Sequence, residues 1–522
     1  MLRLRYILSL SALVLLIQTS ALAQDYVESA LIYSRFRPGG SARVQGLGGA
    51  QVGLGGDYSS AASNPAGLGK FNRSEISITP SIGSFSSKGR FLNQDASLDN
   101  TQKQSATKFQ LPGLSLVFNV PANNREGAYV GSTFAITLSR SNDFNHSTRY
   151  KQPNYDGSII DYFVDDANGY TTDAFLQGGD LYNDLTGLSY HNYLIGPESA
   201  VSPNGRDDVY FTDVTTKPDV QEDIKTKGGT NQWNFAYGGN VKDRFYFGVG
   251  IGLTSLHYKS QKTYSEVFPY DTLLNNLKAV ENLDIKGNGV NATFGVLARP
   301  LDFLQIGLSY TTPTFTRISE TYDASLATSW NNFDYNGDGS VILRDEEAET
   351  DIIESSYNIT LPSRLSAGVA LISKFGFLTG DIEMSNAGGA RYSAGTLDTD
   401  LTDNNAYIKS SYKRTLSYRV GAEGRVSIFR LRAGYGIIGR AYRDHTNDGN
   451  GATTVTGGGK ITTITGGFGV KLKKFYIDFA LVRSSGDDVD YLPYTFPSDG
   501  TGPVVRVTNV AYNGLLTFGL TW

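Results

Sequence analysis

The chain is 522 residues long, with 46 basic and 51 acidic residues and a net charge of −5. It holds no cysteine, which excludes disulfide scaffolds, thiol catalysis and thiolate metal sites. Only 19% of residues are charged while 12% are aromatic, and the mild acidity gives no reason to expect a nucleic-acid partner.

The chain opens MLRLRYILSLSALVLLIQTSALAQ. Arg3 and Arg5 form a positive start, Ile7 to Ile17 is apolar, and Ala21-Leu22-Ala23 fits a signal-peptidase site. Residues 1–23 therefore read as a signal peptide cleaved before Gln24. The apolar run is about half the ~20 residues that a spanning helix needs. Residues 24–72 follow, with GGSARVQGLGGAQVGLGGDYSSAASNPAGLGKF from Gly39 to Phe71. This stretch has no long apolar face, and its small residues can pack backbone-close against a wall. The glycine spacing does not match a dinucleotide fingerprint, and no strand precedes it.

From residue 73 the pattern changes to short segments that alternate apolar with small or polar residues, the period of a strand with two different faces. Phe245, Phe247, Val249, Ile251 and Leu253 alternate with Tyr246, Gly248, Gly250, Gly252 and Thr254. The last segment puts Trp522, Leu520, Phe518 and Leu516 on one face and Thr521, Gly519, Thr517 and Leu515 on the other. About fourteen such segments occur, the first near 73–84 and the last near 508–522. Their connections are alternately short and long. An even strand count with short turns at one end and long loops at the other predicts an all-β fold, a transmembrane antiparallel β-barrel over 73–522. A closed barrel also satisfies every backbone polar group in lipid. Gly127 or Gly131 in the third strand is the kind of position that marks a kink or bulge.

The loops carry two further signals. The largest, 141–229, is long enough to cover the barrel mouth, and 174–194 suggests one or two short amphipathic helices there. Asp334 to Asp345 reads DYNGDGSVILRD and matches the spacing of a calcium loop. Its expected ligands are Asp334, Asn336, Asp338, Ser340 and Asp345, within an insertion spanning 334–346. The alternative is a solvated Asp/Gly-rich turn. No other cofactor is expected. DHTNDGNG at 444–451 resembles a calcium loop poorly and reads as a turn.

Alternation places Arg364, Asp381, Glu383, Arg419, Glu423, Arg425, Arg430, Arg432 and Asp478 on the inner face. An Arg facing lipid at mid-membrane would cost roughly 2–4 kcal/mol. Two readings remain open: an ion-pair network that holds the N-terminal segment, or recognition of a carboxylate head group by Arg430 or Arg432. None of the four histidines, His146, His191, His257 and His445, falls clearly in the lumen, which gives haem binding little support. No spacing suggests a Ser/His/acid hydrolase, and no enzyme activity is expected.

The motif Asn64-Pro65-Ala66-Gly67-Leu68, with the small-residue run before it and a strand after it, resembles the FadL/TodX family, in the branch often labelled "hemin receptor". These are outer-membrane transporters of long-chain fatty acids and other hydrophobic compounds. The resemblance implies that residues 24–72 form a hatch inside the barrel, with Asn64, Pro65, Ala66 and Gly67 in it. Ligand would be captured by extracellular loops, reach a hydrophobic pocket beside the hatch, and leave through a gap in the wall. Physically, Pro65 fixes its own φ and restricts Asn64, so it can set one bend, with or without a gating role. The expected partners are a hydrophobic small molecule and outer-membrane lipid, at the bacterial outer membrane as a multi-pass protein. The alternative is a structural or secretion-associated barrel of the same type that binds a protein at its surface.

Overall fold

The computed structural model describes residues 29–92, 100–122, 128–198, 206, 208–394, 401–443 and 459–522. The segment read as a signal peptide, Gly127, His445 and the 444–451 turn lie outside them.

One antiparallel sheet of twenty hydrogen-bonded segments closes on itself. Six segments are extensions or broken continuations of others, which leaves fourteen staves. They are β1 (Glu75–Phe91), β2 (Gln102–Pro121), β3 (Tyr129–Asp143), β4 (Asp219–Val241), β5 (Phe245–Val267) and β6 (Leu274–Leu301). Next come β7 (Leu304–Thr311 and Thr314–Asp334), β8 (Ile342–Glu349, Ile353–Leu361 and Arg364–Ser373) and β9 (Gly376–Asn386). The ring is completed by β10 (Arg414–Val426), β11 (Phe429–Ile438), β12 (Ile461–Lys471), β13 (Phe475–Gly486) and β14 (Val505–Thr521). Each stave pairs with its chain neighbours, and β1 closes the ring on β14 from Glu75↔Thr521 to Phe91↔Val505. Closure removes both sheet edges, which a barrel in lipid requires.

The two faces are those that the period of two predicts. On β5, Phe247, Val249, Ile251 and Leu253 are exposed to the surroundings, while Tyr246 is buried inside. Phe134, Phe235, Phe294, Ile306 and Leu308 continue the outward apolar belt on neighbouring staves. Among the described residues no helix is long and apolar enough to cross a membrane.

Several staves run further than alternation suggests. β4 to β7 continue above the belt, so 219–229 and 274–281 are strand and not loop. There both faces carry polar residues, and the pattern that betrays a half-buried strand disappears. The loop expected at 141–229 shrinks accordingly to about 153–218, because His146–Gln152 also pairs with β4.

Prolines mark the irregularities. Pro313 and Pro362 lie opposite each other, between the pairs Thr311↔Arg364 and Thr314↔Leu361. Neither has an N–H to donate, so the β7–β8 ladder is interrupted there. β6 closes the other flank, where Thr312 N–H donates to Ala292 O at 2.9 Å. Gly131 sits at a bulge, since Tyr129 pairs with Val241 and Gly131 with Asn240.

Candidate functional site

Residues 38–72 thread the inside of the ring and touch staves on every side of it. Their hold is largely backbone to wall. Ala42 N–H donates to Thr517 Oγ1 at 2.8 Å, and Gly48 N–H to Thr465 Oγ1 at 3.0 Å. The carboxylate of Asp381 accepts from Gln51 N–H at 2.6 Å and Val52 N–H at 2.9 Å. Lys70 donates to Leu54 O at 2.7 Å and to Gln305 Oε1 at 2.9 Å. Small residues permit this proximity. A Cβ at Gly434 would lie 2.2 Å from the Gly48 nitrogen, and one at Gly53 would lie 2.6 Å from the Gly368 carbonyl carbon.

The Asn-Pro-Ala-Gly motif occupies one wall. Asn64 is extended, at φ −149°, as a residue before proline should be, and caps the 3₁₀ turn Pro65–Lys70. Its Oδ1 accepts from Ala66 N–H at 3.2 Å, and its Nδ2 donates to Val52 O at 2.8 Å and Val296 O at 3.2 Å. Gly67 packs on Gly55 and Ser60 with no room for a Cβ. The glycine row of β5 is the seat of this turn: a Cβ on Gly248 would lie 2.3 Å from the Pro65 carbonyl carbon.

The charged inner-face residues separate into distinct groups. Glu423 accepts from Arg432 Nε at 2.8 Å and Arg425 Nε at 2.9 Å, and Arg432 also donates to Asp478 at 2.6 Å. Arg43, from the inner segment, reaches Glu423 at 3.7 Å and Asp57 at 3.9 Å. Arg419 pairs with Glu383 at 3.0 Å. Asp381 belongs to the backbone contacts above. Arg430 departs from expectation. Its guanidinium caps the carbonyls of Ser427 and Phe429 at the β10–β11 turn, 2.7 and 2.8 Å away, and does not join the network. Its place one register step from the turn lets a long side chain fold back onto the rim. Arg432 has both acidic partners already, which leaves it no free role toward a ligand's carboxylate.

Above this floor, a helical turn at 29–34 enters an apolar chamber. Leu31 and Tyr33 pack with Phe144, Leu256, Ile285, Ile318 and Ile359 from the surrounding staves. Two small cavities lie beside this turn, partly open to their surroundings. Phe36 and Arg364 line both, with the Arg364 guanidinium 3.5 Å from the centre of the Phe36 ring. Their position could not be read from sequence, because it depends on where the inner segment crosses the barrel. His146 also turns inward and packs edge-on against Phe85, with ring centres 5.5 Å apart. This corrects the expectation that no histidine enters the barrel: the strand after β3 folds inside β1.

The mouth is covered by the described residues of 153–218. A helix at Ile159–Ala167 and another at Leu185–His191 bury Ile160, Phe163 and Leu188 against Leu274, Leu277 and Trp330. The second falls within the region expected to be helical. The first was signalled by Ser158 and Asp161, which form a capping box. Glu266 holds that helix start, accepting from Ser158 Oγ at 2.5 Å, Tyr264 Oη at 2.8 Å and Ile159 N–H at 2.9 Å.

The 334–345 segment is the tip of a β-hairpin. Asp334 accepts from Gly337 N–H at 3.1 Å and Gly339 N–H at 2.8 Å, and Asp338 accepts from Ser340 N–H at 2.8 Å. Asn336 donates to Ser340 Oγ at 2.8 Å. Asp345 lies down the hairpin on β8, where Ser329 Oγ donates to it at 2.9 Å. Among the described residues no three His, Asp or Glu side chains gather to hold a metal ion. In this arrangement Asp334, Asn336, Asp338 and Ser340 bond within the turn, and Asp345 stands apart on the hairpin.

No family model matches the chain, and no curated protein matches it in sequence. Solved structures do match. A FadL homologue from Pseudomonas aeruginosa aligns over 93% of this chain and 99% of its own, with 14% identity and a TM-score of 0.52. The toluene transporter TodX of P. putida aligns over the same shares, with 10% identity and a TM-score of 0.51. The chain therefore has the FadL-type fold, that of a fourteen-stranded outer-membrane barrel.

Proposed function

We propose that this chain is an outer-membrane channel for hydrophobic and amphipathic small molecules, long-chain fatty acids among them. The observation that carries the reading is the pair of cavities beside residues 33–36, inside the barrel and lined by the inner faces of its staves. A ligand enters under the cap, rests in the chamber, and leaves when the inner segment yields. The part proposed to yield is 29–37, which holds the wall through Arg37 N–H to Ser141 O and through Asn142 Nδ2 to Ile32 O and Arg35 O, whereas 38–72 is tied to staves all round the ring. The Asn64 turn belongs to the fixed floor.

The test is uptake of a fluorescent fatty acid and of toluene into liposomes that carry the full chain. Saturable uptake that a deletion of residues 24–72 converts into unselective leakage supports the channel. Absence of saturable uptake for both probes sinks it. The folded cap, with its own buried apolar cluster, favours a second reading, a surface that binds a protein partner. Normal uptake after deletion of 153–218 would direct attention to that role.

A further inference from the structure

The walls of the larger cavity are not those of a hydrocarbon site. Arg35 and Arg364 line it and no carboxylate does. The Arg364 guanidinium makes no hydrogen bond or ion pair with any described residue, and Phe36 covers one face of it. A guanidinium directs its five N–H groups in its plane. Covering the face leaves the edge, the part that binds a carboxylate by two parallel hydrogen bonds. The neighbouring acid, Glu383, acts on Arg364 through space, but its close ion pair is with Arg419 at 3.0 Å, so the guanidinium edge of Arg364 is not taken by it.

Two further features narrow the ligand. Leu256, Ile318 and Ile359 form an apolar strip of the same cavity. Ser34 Oγ, Thr230 Oγ1, Asn291 Oδ1 and Thr316 Oγ1, from other lining residues, are buried with no hydrogen-bond partner among the described residues. Four such orphans around one cavity are costly unless something polar satisfies them. A plain acyl chain or an unsubstituted ring would leave all four unmet.

We propose that this cavity binds a hydroxylated amphipathic acid. Its carboxylate meets the edge of Arg364, its apolar body lies on Ile318 and Ile359, and its hydroxyls pair with Asn291 and Thr316. This rests on the channel reading and specifies its cargo. It also moves the acid-recognising arginine from Arg430 or Arg432 to Arg364.

The test is equilibrium binding to the full chain in a non-ionic detergent. The probes are 4-hydroxyphenylacetate, its amide, phenylacetate and toluene. The expected result is at least tenfold tighter binding of the acid than of its amide. Arg364→Met removes that preference and Arg364→Lys restores part of it. Thr316→Val weakens 4-hydroxyphenylacetate several-fold while leaving phenylacetate within twofold. The heat-dependent gel mobility of each variant reports whether its barrel has formed. Acid and amide binding alike to the wild-type chain, or a preference that survives Arg364→Met, overturns the proposal. If toluene still binds in that case, the channel reading stands and only its cargo was misassigned. If no probe binds, both fall.

Discussion

Arg432 and Glu423 face each other across the β10–β11 ladder, 2.8 Å apart and almost wholly buried, and the same carboxylate is approached from the inner segment by Arg43 at 3.7 Å. One acid thus joins the wall to the segment it encloses. With Asp57 and Asp478 it balances Arg43, Arg425 and Arg432. Breaking a buried pair from one side leaves an uncompensated charge and typically costs about 3–5 kcal/mol. Glu423→Gln should therefore lower the urea midpoint of unfolding in micelles. It should also raise ion conductance in a planar bilayer, because Arg43 loses its wall partner. An unchanged midpoint would mean that the network is dispensable.

The floor should be sensitive to single methyl groups in the glycine seats. Gly248→Val places a Cβ 2.3 Å from the Pro65 carbonyl carbon, so backbone must move. Overpacking of this kind costs about 1–3 kcal/mol. Gly466→Val serves as the control, since nothing lies within 4 Å of its added Cβ. We expect the first variant to insert in the membrane yet expose Arg43 and Lys70 to trypsin, and the second to behave as wild type. Equal resistance of the two variants would refute a tight seat on β5.

These contacts show where sequence reasoning reaches and where it stops. Every stave in the lipid belt was legible, because one face must be apolar and the other small or polar. The extensions of β4 to β7 were not, because their outer face is polar and their inner face, packed under the cap, mixes Glu222 and Glu266 with Leu274 and Trp330, which removes the contrast. Arg364, Arg430 and Arg432 all read as inward-facing. Only packing distinguishes them: Arg430 folds onto the rim, Arg432 is saturated by Glu423 and Asp478, and Arg364 meets Phe36. The Phe36 contact joins residues distant in sequence, and no local period encodes it.

The calcium-like turn gives a further expectation. Coordination would require Asp345 to leave Ser329 and the hairpin to open, and extracellular sites of this type already bind at only ~10⁻⁴–10⁻³ M. Calorimetric titration should detect no binding tighter than about 1 mM, and Asp334→Ala should change nothing in that titration. A micromolar isotherm abolished by Asp334→Ala would show that the turn rearranges around the ion.

The cap should respond to pH through Glu266, which sits in the part of β5 above the lipid belt. It is fully buried at the start of the 159–167 helix, and burial pushes its carboxyl up to about 7 in spite of three hydrogen bonds to it. Asp161, in the same capping box, is raised by burial as well, so it does not offset the effect. A carboxyl with a raised folded-state pKa favours the docked cap while protonated. That preference is complete below the free value of about 4.3 and declines as pH rises to about 7. Hydrogen exchange over residues 159–167 should therefore be slower at pH 5.5 than at pH 8, after correction for intrinsic rates. Glu266→Gln, neutral at both values, should remove most of the difference. Protection that rises with pH in the wild-type chain would mean that the ionised carboxylate, accepting from Ser158, Ile159 and Tyr264, is the form that holds the cap down.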